Sequence, residues 1–375
     1  MISYFSVFAL RSRAAETPLS ATNLISEDAP LWTESMLWDK QCSLYSGFGY
    51  KDNVLLSAFN PRGSTFFVNG VDLTVLRLPL DGWQIEGLLV GDDIRYWRNV
   101  GTDSEDSIIS SLRIERELPH GWRAGLELRG LDEKQVLDIS TQEGAPATAL
   151  VEGYGITAKP SMRKDFETGF WAQAEVPVTR WSLAAPLDDY WDIGPVVTVG
   201  YNLGQYSDLT ASYGASYQPH AQWVVLDRFG RPLPQHLEIF QDRTELAWRQ
   251  YWDRRQHFRT LTRLIFAYDE DNGGGYFNYD QYQIVEDLLW QTADWQVKAS
   301  AQQTYELYPV QGVGILNGQL LNRNLLDLSL EVERRLFKRL KAFGKVEYER
   351  GHSNYANDAG DYAARIFSGG LRWEF

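Results

Sequence analysis

Apolar and polar residues alternate one by one over long stretches of this chain. Trp122, Ala124, Leu126 and Leu128 stand against Arg123, Gly125, Glu127 and Arg129. Trp295, Val297, Ala299 and Ala301 stand against Gln296, Lys298, Ser300 and Gln302, and Leu326, Leu328, Leu330 and Val332 against Asp327, Ser329, Glu331 and Glu333. Successive side chains of a strand point to opposite faces, so each segment predicts a strand with one greasy and one wet side. From near Gln41 to Phe375 the chain divides into sixteen such segments, starting at roughly Gln41, Ser64, Trp83, Ser107, Trp122, Ala149, Gly169, Ile193, Leu209, His236, Phe258, Tyr276, Trp295, Leu325, Leu340 and Asp361. Each has the length of a tilted strand that crosses a bilayer, about 9 to 11 residues.

The links between segments alternate in length. Short ones fall at Pro79 to Gly82, Pro119 to Gly121, Asp165 to Thr168, Gly204 to Ser207, Thr292 to Asp294 and Phe337 to Arg339. Longer ones fall at Tyr50 to Gly63, Asn99 to Asp106, Asp132 to Ala147, Gln218 to Gln235, Asp269 to Gly275, Pro309 to Asn324 and Gly351 to Gly360. Transmembrane barrels join their strands by short turns at one end and longer loops at the other. One link, Tyr251 to His257, falls on the short side but is long and charged. Several short links lead straight into an aromatic residue, as at Trp83, Trp122, Phe170-Trp171 and Trp295, and a Trp at headgroup level faces both lipid and water.

Composition supports this reading. The 375 residues include 14 Trp and 20 Tyr but one Cys and three Met. No run reaches the roughly 20 apolar residues of a membrane-spanning helix, whereas a barrel keeps its mean hydropathy low by alternation. A net charge of −14 argues against a nucleic-acid partner, which calls for a basic surface. Cys42 stands alone, so neither an intramolecular disulfide nor a cysteine metal cluster is predicted.

In the last strand Phe367, Gly369, Leu371, Trp373 and Phe375 alternate with Ser368, Gly370, Arg372 and Glu374. This closing strand resembles that of bacterial outer-membrane β-barrels, which ends in an aromatic residue. The segment Gly47-Phe48-Gly49-Tyr50-Lys51-Asp52-Asn53-Val54 resembles the G-Y-D-D-N-V start of porin-type barrels and of the barrel halves of some secretion proteins, with Lys51 in place of the first Asp. The resemblance implies an all-β fold, an antiparallel up-and-down transmembrane barrel over 41–375 with periplasmic termini. It implies outer-membrane localisation in contact with lipid and lipopolysaccharide, and Trp373 and Phe375 as the signal read by the outer-membrane assembly machinery. Residues 1–40 read as a leader and periplasmic entry segment. Ile2 to Leu10 has Arg11 and Arg13 after it rather than basic residues before it, the reverse of a secretory signal, so either the chain is not exported or, as the rest of the sequence favours, its start is truncated or misassigned within a longer precursor.

Candidate function lies on the wet faces. Arg113, Glu115, Arg123, Glu127, Arg129, Asp327, Glu331, Glu333, Lys341, Lys345, Glu347, Glu349, Arg365 and Arg372 are read as lumen-lining charges. Rows of opposite sign create a transverse field that tunes selectivity. Asp227, Arg228 and Arg231 sit in a Gly- and Pro-containing loop that could fold inward as a constriction. His352-Ser353-Asn354 supplies triad residue types, but neighbours in sequence cannot orient one another, so no catalysis is predicted. Asp269-Glu270-Asp271-Asn272 before three glycines departs from calcium-loop spacing. Neither metal nor cofactor is predicted. The expected function is a porin-like channel for passive diffusion of small hydrophilic solutes or sugars, with a preference for cations or basic sugars expected from the net acidity, and a homo-oligomer would fit it. The rivals are an export or secretion barrel for a polysaccharide or protein, and a soluble all-β carbohydrate-binding protein.

Overall fold

The computed structural model describes residues 38–79, 81–139, 147–313, 319–355 and 360–375. They form one antiparallel sheet, ordered by sequence and closed on itself by the pairing of its last strand with its first. The strands are β1 (Trp38–Lys51), β2 (Ser64–Arg77), β3 (Trp83–Tyr96), β4 (Ser104–Leu118), β5 (Trp122–Asp138) and β6 (Thr148–Asp165). Two interrupted strands follow, β7 (Phe170–Glu175 and Val178–Leu183) and β8 (Tyr190–Ile193 and Val196–Asn202). The rest are β9 (Ser207–Leu226), β10 (Pro232–Tyr251), β11 (Phe258–Asp271), β12 (Tyr279–Gln291), β13 (Trp295–Gly312), β14 (Leu320–Phe337), β15 (Leu340–Ser353) and β16 (Tyr362–Glu374). The sixteen strands read from alternation are thus present. A single closed sheet also rules out a propeller of separate blades as the form of the soluble all-β rival.

The breaks in β7 and β8 lie side by side at Val176-Pro177 and Gly194-Pro195. Proline has no N–H for the ladder, so the hydrogen-bonded pattern stops there. One bond bridges the gap, from the Gly194 N–H to the Pro177 carbonyl at 3.3 Å. A Cβ at Gly194 would fall 1.8 Å from the Ala215 carbonyl oxygen on β9, so only glycine allows this approach.

Several boundaries differ from expectation. β1 begins at Trp38, three residues before the expected start of the barrel; the rest of the expected leader, 1–37, lies outside the described residues. The long loop expected over Gln218 to Gln235 is mostly strand, because β9 and β10 run on to a turn of residues 227–231. A register shift between Pro219 and Val224 disrupts the alternation there. The charged link after Tyr251 is an ordered turn in which the Asp253 carboxylate accepts the Phe258 N–H at 2.8 Å.

Alternation sorts the side chains. Leu112, Leu126, Leu128, Ile156, Leu246, Leu264, Ile284, Leu328 and Leu330 are exposed on the outer face. At the turn end this apolar band is edged by exposed Trp83, Trp122, Phe170, Trp248, Trp290, Trp295 and Trp373; at the loop end by Tyr50, Tyr154, Trp191, Phe240, Tyr268, Tyr282 and Tyr305. Aromatic girdles of this kind sit at the two interfaces of a bilayer. Trp171 departs from the expected girdle: it points inward, beneath the Arg163 guanidinium 3.9 Å from its ring centre.

Candidate functional site

The inner wall of the turn-end half is a lattice of ion pairs, many between residues two apart on one strand, which share a face. Arg113 meets Glu115 at 2.5 Å, Arg129 meets Glu127 at 2.8 Å and Lys345 meets Glu347 at 2.8 Å. Across strands, Lys159 joins Glu127 at 2.8 Å, and Arg123 joins Asp165 at 2.5 Å. On β5 the cation stands proud of the anion: the Arg129 side chain is 49% exposed and the Glu127 side chain 13%. Arg113 likewise is more exposed than Glu115, so this wall turns guanidinium groups toward the solvent of the lumen.

A denser cluster surrounds Arg372 near the seam. Its Nε lies 2.8 Å from Glu333, its guanidinium also bonds Asp72, and it stacks 4.6 Å from the ring centre of Tyr45. Glu333 is shared with Lys341 at 3.6 Å, and Lys341 reaches Glu374 at 2.5 Å. Glu331 pairs with Lys298 at 3.4 Å. Asp327 accepts the Gln302 amide at 3.3 Å and Glu349 the Tyr362 hydroxyl at 2.9 Å. Of the fourteen charges expected on the inner wall, thirteen share the inward parity of these pairs. Arg365 does not: it alternates in phase with Phe367, Leu371 and Trp373, is 65% exposed, and meets Asp52 at 3.7 Å on the outer side of the rim.

The residues expected to form a constriction close the β9–β10 hairpin. Asp227 ties a tight hairpin turn, accepting the N–H groups of Phe229 at 2.8 Å and Arg231 at 3.0 Å and the Arg231 Nε at 2.8 Å. Arg228 and Arg231 flank the exposed ring of Phe229, and the Arg231 side chain is 72% exposed, so the group is solvated at the tip of the hairpin. In the acidic glycine loop the Asp271 carboxylate is taken up by the N–H groups of Gly273, Gly275 and Phe277 at 2.8–2.9 Å, and no group able to hold a metal occurs among the described residues. His352 Nδ1 pairs with Asp361 at 2.6 Å at a loop end, where Asp361 also accepts the Ser353 N–H.

The loop-end half holds charges that the sequence reading missed. Lys51 meets Glu105 at 3.1 Å, and both are buried. Arg323 of β14 bonds Asp138 of β5 and, at 3.2 Å, Glu306 of β13. β5 and β14 lie far apart around the barrel, so the Arg323 to Asp138 bond spans the lumen. Apolar clusters flank it: Val54 with Phe66, Val68 and Tyr96; Leu56 with Val136, Tyr362 and Ala364. Inward side chains are therefore wet at the turn end and packed at the loop end. Parity with Asp327 and Glu331 would have identified Arg323 as inward.

No protein-family model and no curated protein matches the chain. Solved structures to which it is similar include OmpT, an outer membrane protein of Vibrio cholerae (10% identity over 90% of this chain and 97% of that one, TM-score 0.45). They also include an anion-selective porin from Comamonas acidovorans (12%, 90% and 99%, 0.45) and OccAB3 of Acinetobacter baumannii (7%, 90% and 99%, 0.46). At such scores the architecture rests on this chain's own strand pairing and its function on its own surfaces.

Proposed function

We infer that this protein is an outer-membrane channel for passive diffusion of small hydrophilic solutes. The observation that carries the reading is the contrast between the two faces of one closed sheet: an apolar band edged by aromatic rings outside, and water-accessible rows of paired charges inside. A sixteen-stranded barrel is wide enough for an aqueous path between its walls. The turn end, where β1 starts and β16 finishes, faces the periplasm in this reading, and Trp373 and Phe375 on the outward face of β16 offer the assembly machinery its contact. The chain's role is to replace the lipid barrier with a polar wall whose charges bias what enters; no bond is made or broken. Single-channel recording of the refolded protein in planar bilayers tests this, with selectivity taken from the reversal potential across a salt gradient. Discrete openings are expected, and a folded, inserted barrel that passes no current under any condition overturns the reading.

The packed loop end favours one alternative, a barrel for export of a polysaccharide or protein that opens only when a partner engages it. Recordings that gain openings only with a periplasmic partner added would move the assignment there.

A further inference from the structure

One carboxyl of β12 faces lipid. Glu286 lies directly opposite Thr262 of β11 and Ala301 of β13, and it alternates in phase with the exposed Tyr282, Ile284 and Trp290, so its side chain is on the outer face. The next residue, Asp287, faces the lumen, where Arg263 meets it at 3.0 Å and the Ser300 hydroxyl donates to it at 2.6 Å. Glu286 has no such cation: among the described residues its one hydrogen bond comes from the Thr262 hydroxyl, 2.5 Å from Oε2. It stands four residues from Tyr282 and four from Trp290, the rings that edge the apolar band on this strand. That is about 13 Å of strand in either direction, farther than its side chain spans. An ionisable group at such depth is costly to keep without a partner.

We propose that Glu286, Thr262 and Trp248 form a site on the lipid-facing wall for a membrane-dissolved organic cation, a positive charge carried on an apolar body. Trp248, Thr262 and Glu286 are directly opposed in turn on β10, β11 and β12, so they make one row across the outer face. Two strand spacings, about 10 Å, separate the first from the last, and the middle position holds only a threonine. Both ends of the row are held in place. The Trp248 indole N–H donates to the Ser207 hydroxyl at 2.9 Å, and the Thr262 hydroxyl fixes the carboxyl. The side chain of Trp248 is 44% exposed, which leaves its ring open to the bilayer.

A cation seated over Thr262 meets the carboxylate on one side and the indole on the other. Their attraction is strong there because no water screens it. Ala299 and Ala301 on β13 and Thr260 on β11 keep the wall low beside Glu286, and Leu264, Ile284 and Leu288 supply apolar surface for the body of the ligand. An anion of the same shape is repelled. The site opens to lipid and not to the lumen, so it stands apart from conduction and goes beyond the channel reading.

The test uses tetraphenylphosphonium as the probe and tetraphenylborate, an anion of the same shape, as its control. Refolded protein in phosphatidylcholine vesicles is dialysed to equilibrium against each, and binding above that of empty vesicles is measured. Tetraphenylphosphonium is expected to fill a single saturable site on each chain, and tetraphenylborate none. Glu286→Gln, its folding verified by slow migration in unboiled detergent gels, should abolish the site, and Trp248→Leu should weaken it by about tenfold. Asp287→Asn removes a charge from the inner wall one residue away and should leave binding unchanged. Saturable binding that survives Glu286→Gln, or that Asp287→Asn removes instead, overturns the proposal. A folded wild type with no saturable binding overturns it too; if oligomers of that wild type dissociate on Glu286→Gln, the face belongs to a second copy of this chain.

Discussion

Trp171 lies flat over Gly200, its direct partner across the β7–β8 ladder, with ring atoms 2.3–2.5 Å from where a Cβ on Gly200 would stand. Tyr45 covers Gly70 and Trp181 covers Gly155 in the same way, each pair directly opposed and inward-facing. A glycine leaves room for the neighbouring ring to lie along the wall, and the ring covers the bare backbone. Gly200→Val is therefore expected to cost about 1–3 kcal/mol of stability, as overpacking does. Urea unfolding in lipid vesicles reads the change, and Trp171→Ala in the same chain should recover most of it. Equal losses with and without the ring would refute the relationship.

Leu128 and Arg129 are neighbours on opposite faces. Leu128→Arg places a charge on the lipid side and should destabilise the barrel by about 2–4 kcal/mol if the site is near the bilayer midplane. Glu127→Gln, one residue away on the inner wall, should cost far less. Vesicle unfolding of both variants decides it, and similar losses would mean that the face assignment is wrong.

Because Arg113 and Arg129 are more exposed than the carboxylates they pair with, the β4–β5 wall offers positive charge to a solute. Replacing both by Gln should shift the reversal potential toward cations. No shift, or one toward anions, would show that these groups do not line the conducting path.

Asp227 ties the β9–β10 turn as a carboxylate. The Arg231 N–H, aided by its guanidinium and the Phe229 N–H, holds the Asp227 carboxyl below the usual carboxylate range. A folded value below the unfolded one means that the turn gains stability from ionisation, fully present above the unfolded value and lost as pH falls through the folded one. Amide exchange at Phe229 and Arg231 should stay protected from neutral pH through the ordinary carboxylate range and rise only below it. Fraying that begins nearer neutrality would contradict this.

Strand number and facing were legible because period-two alternation needs only the next residue to declare itself. Trp122 to Arg129 and Leu326 to Glu333 fold as their pattern says. Arg365 was misplaced by counting it among charges instead of counting its parity from Phe367. The β9–β10 extension was hidden by the shift near Pro219, which breaks alternation without breaking the strand. The packing at the end of the β5–β6 hairpin was not legible at all. Val136, Leu137 and Asp138 carry no alternation, since a ribbon covered on both faces has no wet side to show, and their partners Leu56, Trp223 and Arg323 lie on distant stretches of chain.

The seam sets how this molecule can come into being. Ser43 to Lys51 lie against Glu374 to Ile366, and Arg372 touches Ser43 across 329 positions at 3.3 Å. A chain stopped at Ser353 would carry two raw edges, each a row of unsatisfied N–H and C=O groups ready to join another chain. It would also leave Glu333 and Asp72 facing the gap without Arg372. Closure joins the most distant partners in the fold, where the loop entropy to be overcome is highest. Until the final strand arrives, one edge of β1 has no strand of this polypeptide to pair with.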